Sequence, residues 1–134
     1  MDLLKNYEEF VQGVTSKESN SLEAFLARAQ KLSEETDVNV PLLLTAGLGL
    51  GSEAGEFQEV VKKVFFQGKE LSAENIFHMK RELGDILWYW SNACRALNLD
   101  PTEVLAENVK KLEARYPGGK FDVFHSENRQ ENDL

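Results

Sequence analysis

The sequence has 134 residues, of which 42% are hydrophobic, enough for one compact domain but too little for two domains with separate cores. Its 15 basic and 23 acidic side chains give a net charge of -8, so the chain as a whole does not attract nucleic acid or an anionic membrane. A single cysteine, Cys94, excludes an intrachain disulfide, and no apolar stretch reaches the ~20 residues of a membrane span. Together with the absence of a signal-peptide pattern, these features predict a cytoplasmic protein whose partners are neither nucleic acids nor membranes.

Apolar residues recur at helical spacing between the prolines, and no segment alternates as a strand would. Pro41 suits a first helical turn, Gly68 suits a C-terminal cap, and residues 100–103 combine a capping Asp, a proline and a capping-box Glu. The sequence therefore predicts an all-α fold with helices at about 3–14, 21–35, 41–67, 73–97 and 100–116. Residues 1–124 are predicted to form a single domain, and the polar residues 125–134 a C-terminal tail that is disordered or ordered on contact.

Two pairs of carboxylates lie on the long third and fourth predicted helices. Glu53 and Glu56 share one helical face, and Glu82 and Asp85 share another. If the two helices pack antiparallel across their short connection, the pairs converge and offer oxygen ligands for Mg²⁺ or Mn²⁺. The alternative is that these acidic side chains face water, as most single pairs at this spacing do.

The fourth predicted helix has an apolar side and, next to it, a polar and aromatic stripe. The apolar side is predicted to face the core and consists of Leu83, Ile86, Leu87, Trp90, Ala93, Cys94 and Leu97. The stripe consists of Asp85, Trp88, Tyr89 and Asn92. Because a plain solvated face is seldom so aromatic, we expect the stripe to line a groove, with core packing of Trp88 and Tyr89 as the alternative.

Four glycines occur in or just before the third predicted helix, at positions 47, 49, 51 and 55. Each costs roughly 1 kcal/mol relative to alanine in a helix. A close approach by another backbone or a ligand would explain this cost, and Gly55 lies between two glutamates where bulk would crowd a metal cluster. The alternative is a frayed start of the helix.

Cationic and amide side chains form a stripe on the fifth predicted helix. Asn108, Lys111 and Arg115 are spaced by three and four residues, and a phosphate chain needs such a stripe. Lys63 lies seven residues after Glu56 on the same face and adds a further positive charge. Taken singly, each cation also suits a solubilising surface position.

With these motifs placed, the sequence resembles the MazG-like nucleotide pyrophosphohydrolases, in a small single-domain version as found in bacteria and phages. The resemblance covers most of the chain and rests on residues 51–57, residues 82–89 and the stretch from Asn108 to Pro117. It implies that a (deoxy)nucleoside triphosphate is hydrolysed to the monophosphate and pyrophosphate. It also implies Mg²⁺ held by Glu53, Glu56, Glu82 and Asp85, and a site at the interface of a homodimer or homotetramer, each half a four-helix bundle.

The same resemblance implies roles for the substrate-binding residues. Lys111 and Arg115 would hold phosphates, Asn108 would contact phosphate or sugar, and Tyr116 would lie nearby. The bound Mg²⁺ ions would lower the pKa of an attacking water. We expect Glu56 to take the proton from that water and Trp88 and Tyr89 to wall the nucleoside pocket.

Four other functions compete with this interpretation. A phosphoribosyl-ATP pyrophosphatase and a dimeric dUTPase use paired carboxylates on related helical scaffolds, but residues 108–117 favour the MazG-like branch. A ferritin-like di-iron bundle needs Glu-x-x-His pairs, which His78 and His125 do not complete. A non-catalytic helical interaction module remains as the hypothesis from a different class.

Overall fold

The computed structural model describes residues 2–133 and contains no strand in that range. Helices make up 77% of the structure, which confirms the predicted all-α fold. The helices are α1 (Leu3–Val14), α2 (Lys17–Asn20), α3 (Leu22–Glu35), α4 (Val40–Phe66), α5 (Ala73–Ala96), α6 (Pro101–Arg115) and α7 (Val123–Glu127). The five predicted helices match α1, α3, α4, α5 and α6 to within one residue at each end. The two missed helices have four and five residues, too few for a period to be visible.

Side-chain caps explain where the long helices begin. The Asn39 side chain accepts a hydrogen bond from the backbone of Leu42 at the start of α4, and Ser72 accepts one from Asn75 at the start of α5. Asp100 caps α6 as predicted, directly before Pro101. Gly68 follows the end of α4 with a φ of 68°, a conformation that favours glycine.

The α4–α5 hairpin is the main packing unit of the described chain. The two helices run antiparallel, so that Gly49 of α4 meets Tyr89 of α5 and the backbone N–H of Asn39 donates to the carbonyl of Ala96 at 2.9 Å. Next to this contact, the side-chain amide of Asn98 donates to the carbonyl of Asp37 at 2.6 Å. Hydrogen bonds therefore join the start of α4 to the end of α5, and the two helices pack closely between their ends.

The predicted core face of α5 is only partly buried within one copy of the chain. Leu83 and Leu87 are 52% and 60% exposed, and Leu97 is also exposed, whereas Cys94 is buried. Glu82 and Asn92 are instead the buried polar residues of α5. The helix turns its small and polar residues toward α4, because these permit close approach, and leaves its leucines uncovered.

Few apolar side chains are buried in the described chain. The buried ones are Ala46, Val60, Cys94 and Ala96. Large apolar residues are exposed on every long helix, including Phe10 on α1 and Phe65 and Phe66 on α4. A monomer seldom exposes so many large apolar residues, and contiguous apolar patches mark interaction surfaces.

The C-terminal residues fold back onto α6. The predicted boundary at residue 124 falls inside α7, and the side chains of Gln130 and Asp133 bond to Ala114 and Arg115. Met1 and Leu134, at the outer ends of the predicted ranges, lie outside the described residues. Among the described helices, none has the length and apolar character needed to cross a membrane.

Candidate metal and nucleotide site

Three predicted metal ligands lie together at the middle of the α4–α5 hairpin. Glu53 of α4 and Glu82 and Asp85 of α5 each place one carboxylate oxygen within 4.8 Å of the others. Glu82 is only 7% exposed, Glu53 is half-buried and Asp85 is exposed. The antiparallel packing of the two helices therefore brings one member of the first pair against both members of the second.

Two oxygens of this cluster are buried without a hydrogen-bond partner, Glu53 Oε2 and Glu82 Oε2. Desolvation, above all, raises the pKa of Glu53 to about 7, and a hydrogen bond to Glu82 and the charges of Glu56, Glu82 and Asp85 act in the same direction. Two carboxylates can share such a hydrogen bond only while one of them carries a proton. The donor set consists of oxygens and suits a hard divalent cation, which would satisfy both orphaned oxygens and relieve the repulsion.

Two further side chains lie beside the cluster. Glu56 is exposed and close enough for its charge to raise the pKa of Glu53, but it does not belong to the group of converging oxygens. His78 places Nε2 3.4 Å from Glu82 Oε1. Sequence reasoning left His78 out of the site, although its spacing of four residues from Glu82 already placed the two on one helical face.

The aromatic pair of α5 divides between the hairpin and the surface. Tyr89 is half-buried against Gly49, where a β-carbon would overlap the ring. Trp88 is 58% exposed and meets Tyr89 edge to face, with ring centroids 4.9 Å apart. Close approach therefore explains Gly49, whereas a β-carbon at Gly55 would meet nothing within 4 Å, and crowding does not account for that glycine.

The predicted phosphate-binding residue of α4, Lys63, is paired with an acidic neighbour. Its Nζ lies 3.7 Å from Glu59, which also pairs with Lys62 at 3.0 Å. Both lysines lower the pKa of Glu59, with the hydrogen bond from Lys62 as the main cause. Lys63 thus carries its charge on the same helix as Glu53.

The predicted phosphate-binding residues of α6 line a separate cavity of about 1020 Å³. Asn108, Lys111 and Arg115 form one wall, and residues 130–133 form another. Tyr116 lies outside this cavity, half-buried against Phe121 with ring centroids 5.7 Å apart. In the described part of the chain, none of the clustered carboxylates lines this cavity. One copy therefore does not bring Lys111 and Arg115 into the same pocket as the carboxylate cluster.

The fold and the cluster define an all-α protein with a carboxylate-rich candidate cation site between two antiparallel helices. A family model described as the MazG nucleotide pyrophosphohydrolase domain matches residues 43–119, more than half of the chain. The chain therefore belongs to the MazG nucleotide pyrophosphohydrolase family, as the motifs predicted.

A curated relative is the Gene 37 protein of Mycobacterium phage L5, which is 34% identical over 74 residues. The aligned segment covers 54% of this chain and 64% of that protein. The chain thus spans less than two thirds of the length of that relative. No solved structure matches the chain significantly.

Proposed function

We propose that the protein is a cytoplasmic, metal-dependent pyrophosphohydrolase that converts a nucleoside or deoxynucleoside triphosphate to the monophosphate and pyrophosphate. The observation that carries the proposal is the convergence of Glu53, Glu82 and Asp85, with two buried oxygens that have no partner. Such oxygens are costly unless a cation binds them. The match of residues 43–119 to the MazG family supports the same conclusion.

Glu53, Glu56, Glu82 and Asp85 would hold Mg²⁺, with Mn²⁺ as a substitute. When bound, such ions neutralise charge on phosphate oxygens and acidify a coordinated water. Glu82 is the fixed anchor of the set because it is buried in the hairpin. Glu56 is exposed and lies outside the converging oxygens, which suits a group that accepts the proton of the attacking water.

The substrate would be held by residues on three helices. Lys63, Lys111 and Arg115 would pair with phosphate oxygens, and Asn108 would donate to phosphate or sugar. Trp88 is exposed about one turn after Asp85 on α5 and offers a face on which a base can stack. Tyr89 supports Trp88 from the hairpin, and Tyr116 lies at the end of α6 next to Arg115.

The active form would be a homodimer or homotetramer. Leu83 and Leu87 are exposed on the same helix as two of the clustered carboxylates, and a second copy packed there would complete a four-helix core. Association would also explain how the cations of α6 reach the carboxylates, since the cavity beside α6 lies apart from the cluster within one copy.

The test is pyrophosphate release from a panel of nucleoside and deoxynucleoside triphosphates, including dUTP, together with phosphoribosyl-ATP. Reactions contain Mg²⁺ or Mn²⁺, with EDTA as the control. We expect metal-dependent formation of pyrophosphate and monophosphate, lost in Glu53→Gln and Asp85→Asn with helicity unchanged. A protein confined to dUTP or to phosphoribosyl-ATP would belong to one of the two related classes. No turnover of any nucleotide would contradict the proposal and favour a binding module.

A further inference from the structure

The cations of α6 are occupied by an acidic side chain of the same molecule. Arg115 donates two hydrogen bonds to Asp133, from Nε to Oδ2 at 2.7 Å and from Nη2 to Oδ1 at 2.8 Å. Lys111 Nζ lies 3.7 Å from the same Oδ1. The Arg115 side chain is 14% exposed and that of Asp133 is 8% exposed, so water screens this contact less than an ordinary surface ion pair.

The segment that carries Asp133 is placed by further bonds. The side-chain amide of Gln130 donates to the carbonyl of Ala114 at 3.2 Å, and the backbone N–H of Asp133 donates to the carbonyl of Gln130 at 3.0 Å. Arg115 lowers the pKa of Asp133, so the carboxylate is ionised at neutral pH. Residues 130–133 thus form a short turn that holds a carboxylate over α6.

A carboxylate that receives a fork of two guanidinium hydrogen bonds occupies the same donors as a phosphate group would. We propose that Asp133 is an internal competitor for the phosphate-binding cations Lys111 and Arg115, and that residues 130–133 must leave α6 before the phosphate chain of the substrate binds there. The proposal rests on the phosphate-binding role of these cations under the proposed function. It adds an autoinhibitory contact in which Asp133 occupies Arg115 and Lys111 while no polyanion is present.

The contact between Asp133 and Arg115 weakens the apparent affinity for a phosphate chain. If only a fraction of molecules has the cations uncovered, the apparent dissociation constant rises by the inverse of that fraction. Removal of the Asp133 charge weakens the competing contact with Arg115 and so raises the fraction of molecules in which phosphate can reach this guanidinium. We expect Asp133→Asn to bind phosphate chains about three- to tenfold more tightly than the wild type.

The experiment is calorimetric titration of the full chain with inorganic pyrophosphate in the presence of Mg²⁺. Glu131→Gln is the matched control, because it removes one negative charge from the same turn, whereas the side-chain ion pair of Arg115 in the described residues is with Asp133. We expect tighter binding in Asp133→Asn, no comparable gain in Glu131→Gln, and weaker binding in Lys111→Gln. In steady-state assays, Asp133→Asn should lower KM with kcat unchanged. Amide hydrogen exchange at residues 130–133 should rise when pyrophosphate saturates the wild type.

Several results would overturn the proposal. Unchanged or weaker pyrophosphate binding in Asp133→Asn would mean that Asp133 holds Arg115 in position and does not compete with phosphate. An equal increase of pyrophosphate affinity in Glu131→Gln would show that the change in net charge alone explains the effect. Pyrophosphate binding with no nucleotide turnover would refute the proposed function and leave the competition standing, whereas turnover with no effect of Asp133→Asn would refute the competition alone.

Discussion

Tyr89 lies so close to Gly49, where α4 and α5 meet, that a β-carbon at position 49 would overlap its ring. Gly51, half a turn further along α4, has nothing within 4 Å of the corresponding position. We therefore expect Gly49→Ala to lower the free energy of unfolding by about 1–3 kcal/mol through overpacking.

Gly51→Ala is the matched control on the same helix. We expect it to raise the free energy of unfolding by about 0.5–1 kcal/mol, because alanine restricts the unfolded chain and favours the helix. Urea unfolding followed by circular dichroism measures both variants at one protein concentration. Equal effects of the two substitutions would show that the Tyr89 contact does not determine how closely the helices approach.

The carboxylate cluster predicts a pH dependence of the metal-free protein. Folding raises the pKa of Glu53 from its ordinary 4.5 to about 7, mainly through desolvation. The folded chain therefore holds a proton that the unfolded chain has lost between these values. Its stabilising effect is complete below about pH 4.5 and disappears as the pH rises through 7. In EDTA, Tm should fall over this interval, and Glu53→Gln should flatten the fall.

Glu59 on the same helix provides a control of opposite sign. Lys62, above all, lowers its pKa, so its contribution is present above the ordinary pKa and disappears as the pH falls. Glu59→Gln should therefore leave the decline of Tm between pH 5 and 7 intact. If Glu53→Gln and Glu59→Gln gave the same profile, the carboxylate cluster would not be the source of the decline.

Glu82→Gln should separate stability from function. The substitution removes a buried charge from a group of mutually repelling carboxylates, so we expect a higher Tm in EDTA. The same change removes an anchor of the cation, and the increase of Tm on addition of Mg²⁺ should disappear. Pyrophosphohydrolase activity should fall by at least about 100-fold, since a bound cation contributes several kcal/mol to the transition state.

Thermal scans with and without Mg²⁺ and a pyrophosphate-release assay measure these effects of Glu82→Gln. Glu74→Gln, at the exposed start of α5, is the control and should change neither. If Mg²⁺ still raised the Tm of Glu82→Gln, the cation would bind somewhere other than this carboxylate cluster.

The sequence was sufficient to predict the five longer helices, because the helical period is a local property, and three of the four carboxylates that it paired lie together. Leu83 and Leu87 are exposed within one copy although the sequence placed them on the core face, because a helical period identifies an apolar side without telling which neighbour covers it. The contact between Arg115 and Asp133 joins residues 18 apart through an irregular turn, and no period reports such a contact. Whether Glu56 joins the cluster likewise depends on how the two helices cross, and it lies outside the converging oxygens.

Lys62 and Lys63 form a natural pair of variants, because both contact Glu59 and only Lys63 is proposed to bind phosphate. Lys63→Gln should raise KM about tenfold, the effect of one charge-assisted hydrogen bond to phosphate. Lys62→Gln should leave KM within about twofold of the wild type. Steady-state kinetics at constant ionic strength compares the two, and a larger effect of Lys62→Gln would exchange their assigned roles.

The exposed leucines of α5 lead to a prediction about assembly. Leu87 is 60% exposed on the helix that carries Glu82 and Asp85, and the proposed dimer would pack a second copy against this leucine. Leu87→Asp would bury an unpaired charge in that contact and should convert the assembly to monomers. Activity should be lost together with assembly. Light scattering after gel filtration measures the mass, and Lys80→Asp, at an exposed polar position of the same helix, is the control. A Leu87→Asp protein that kept both its mass and its activity would place the subunit contact on another face, with the exposed side of α1 next to be tested.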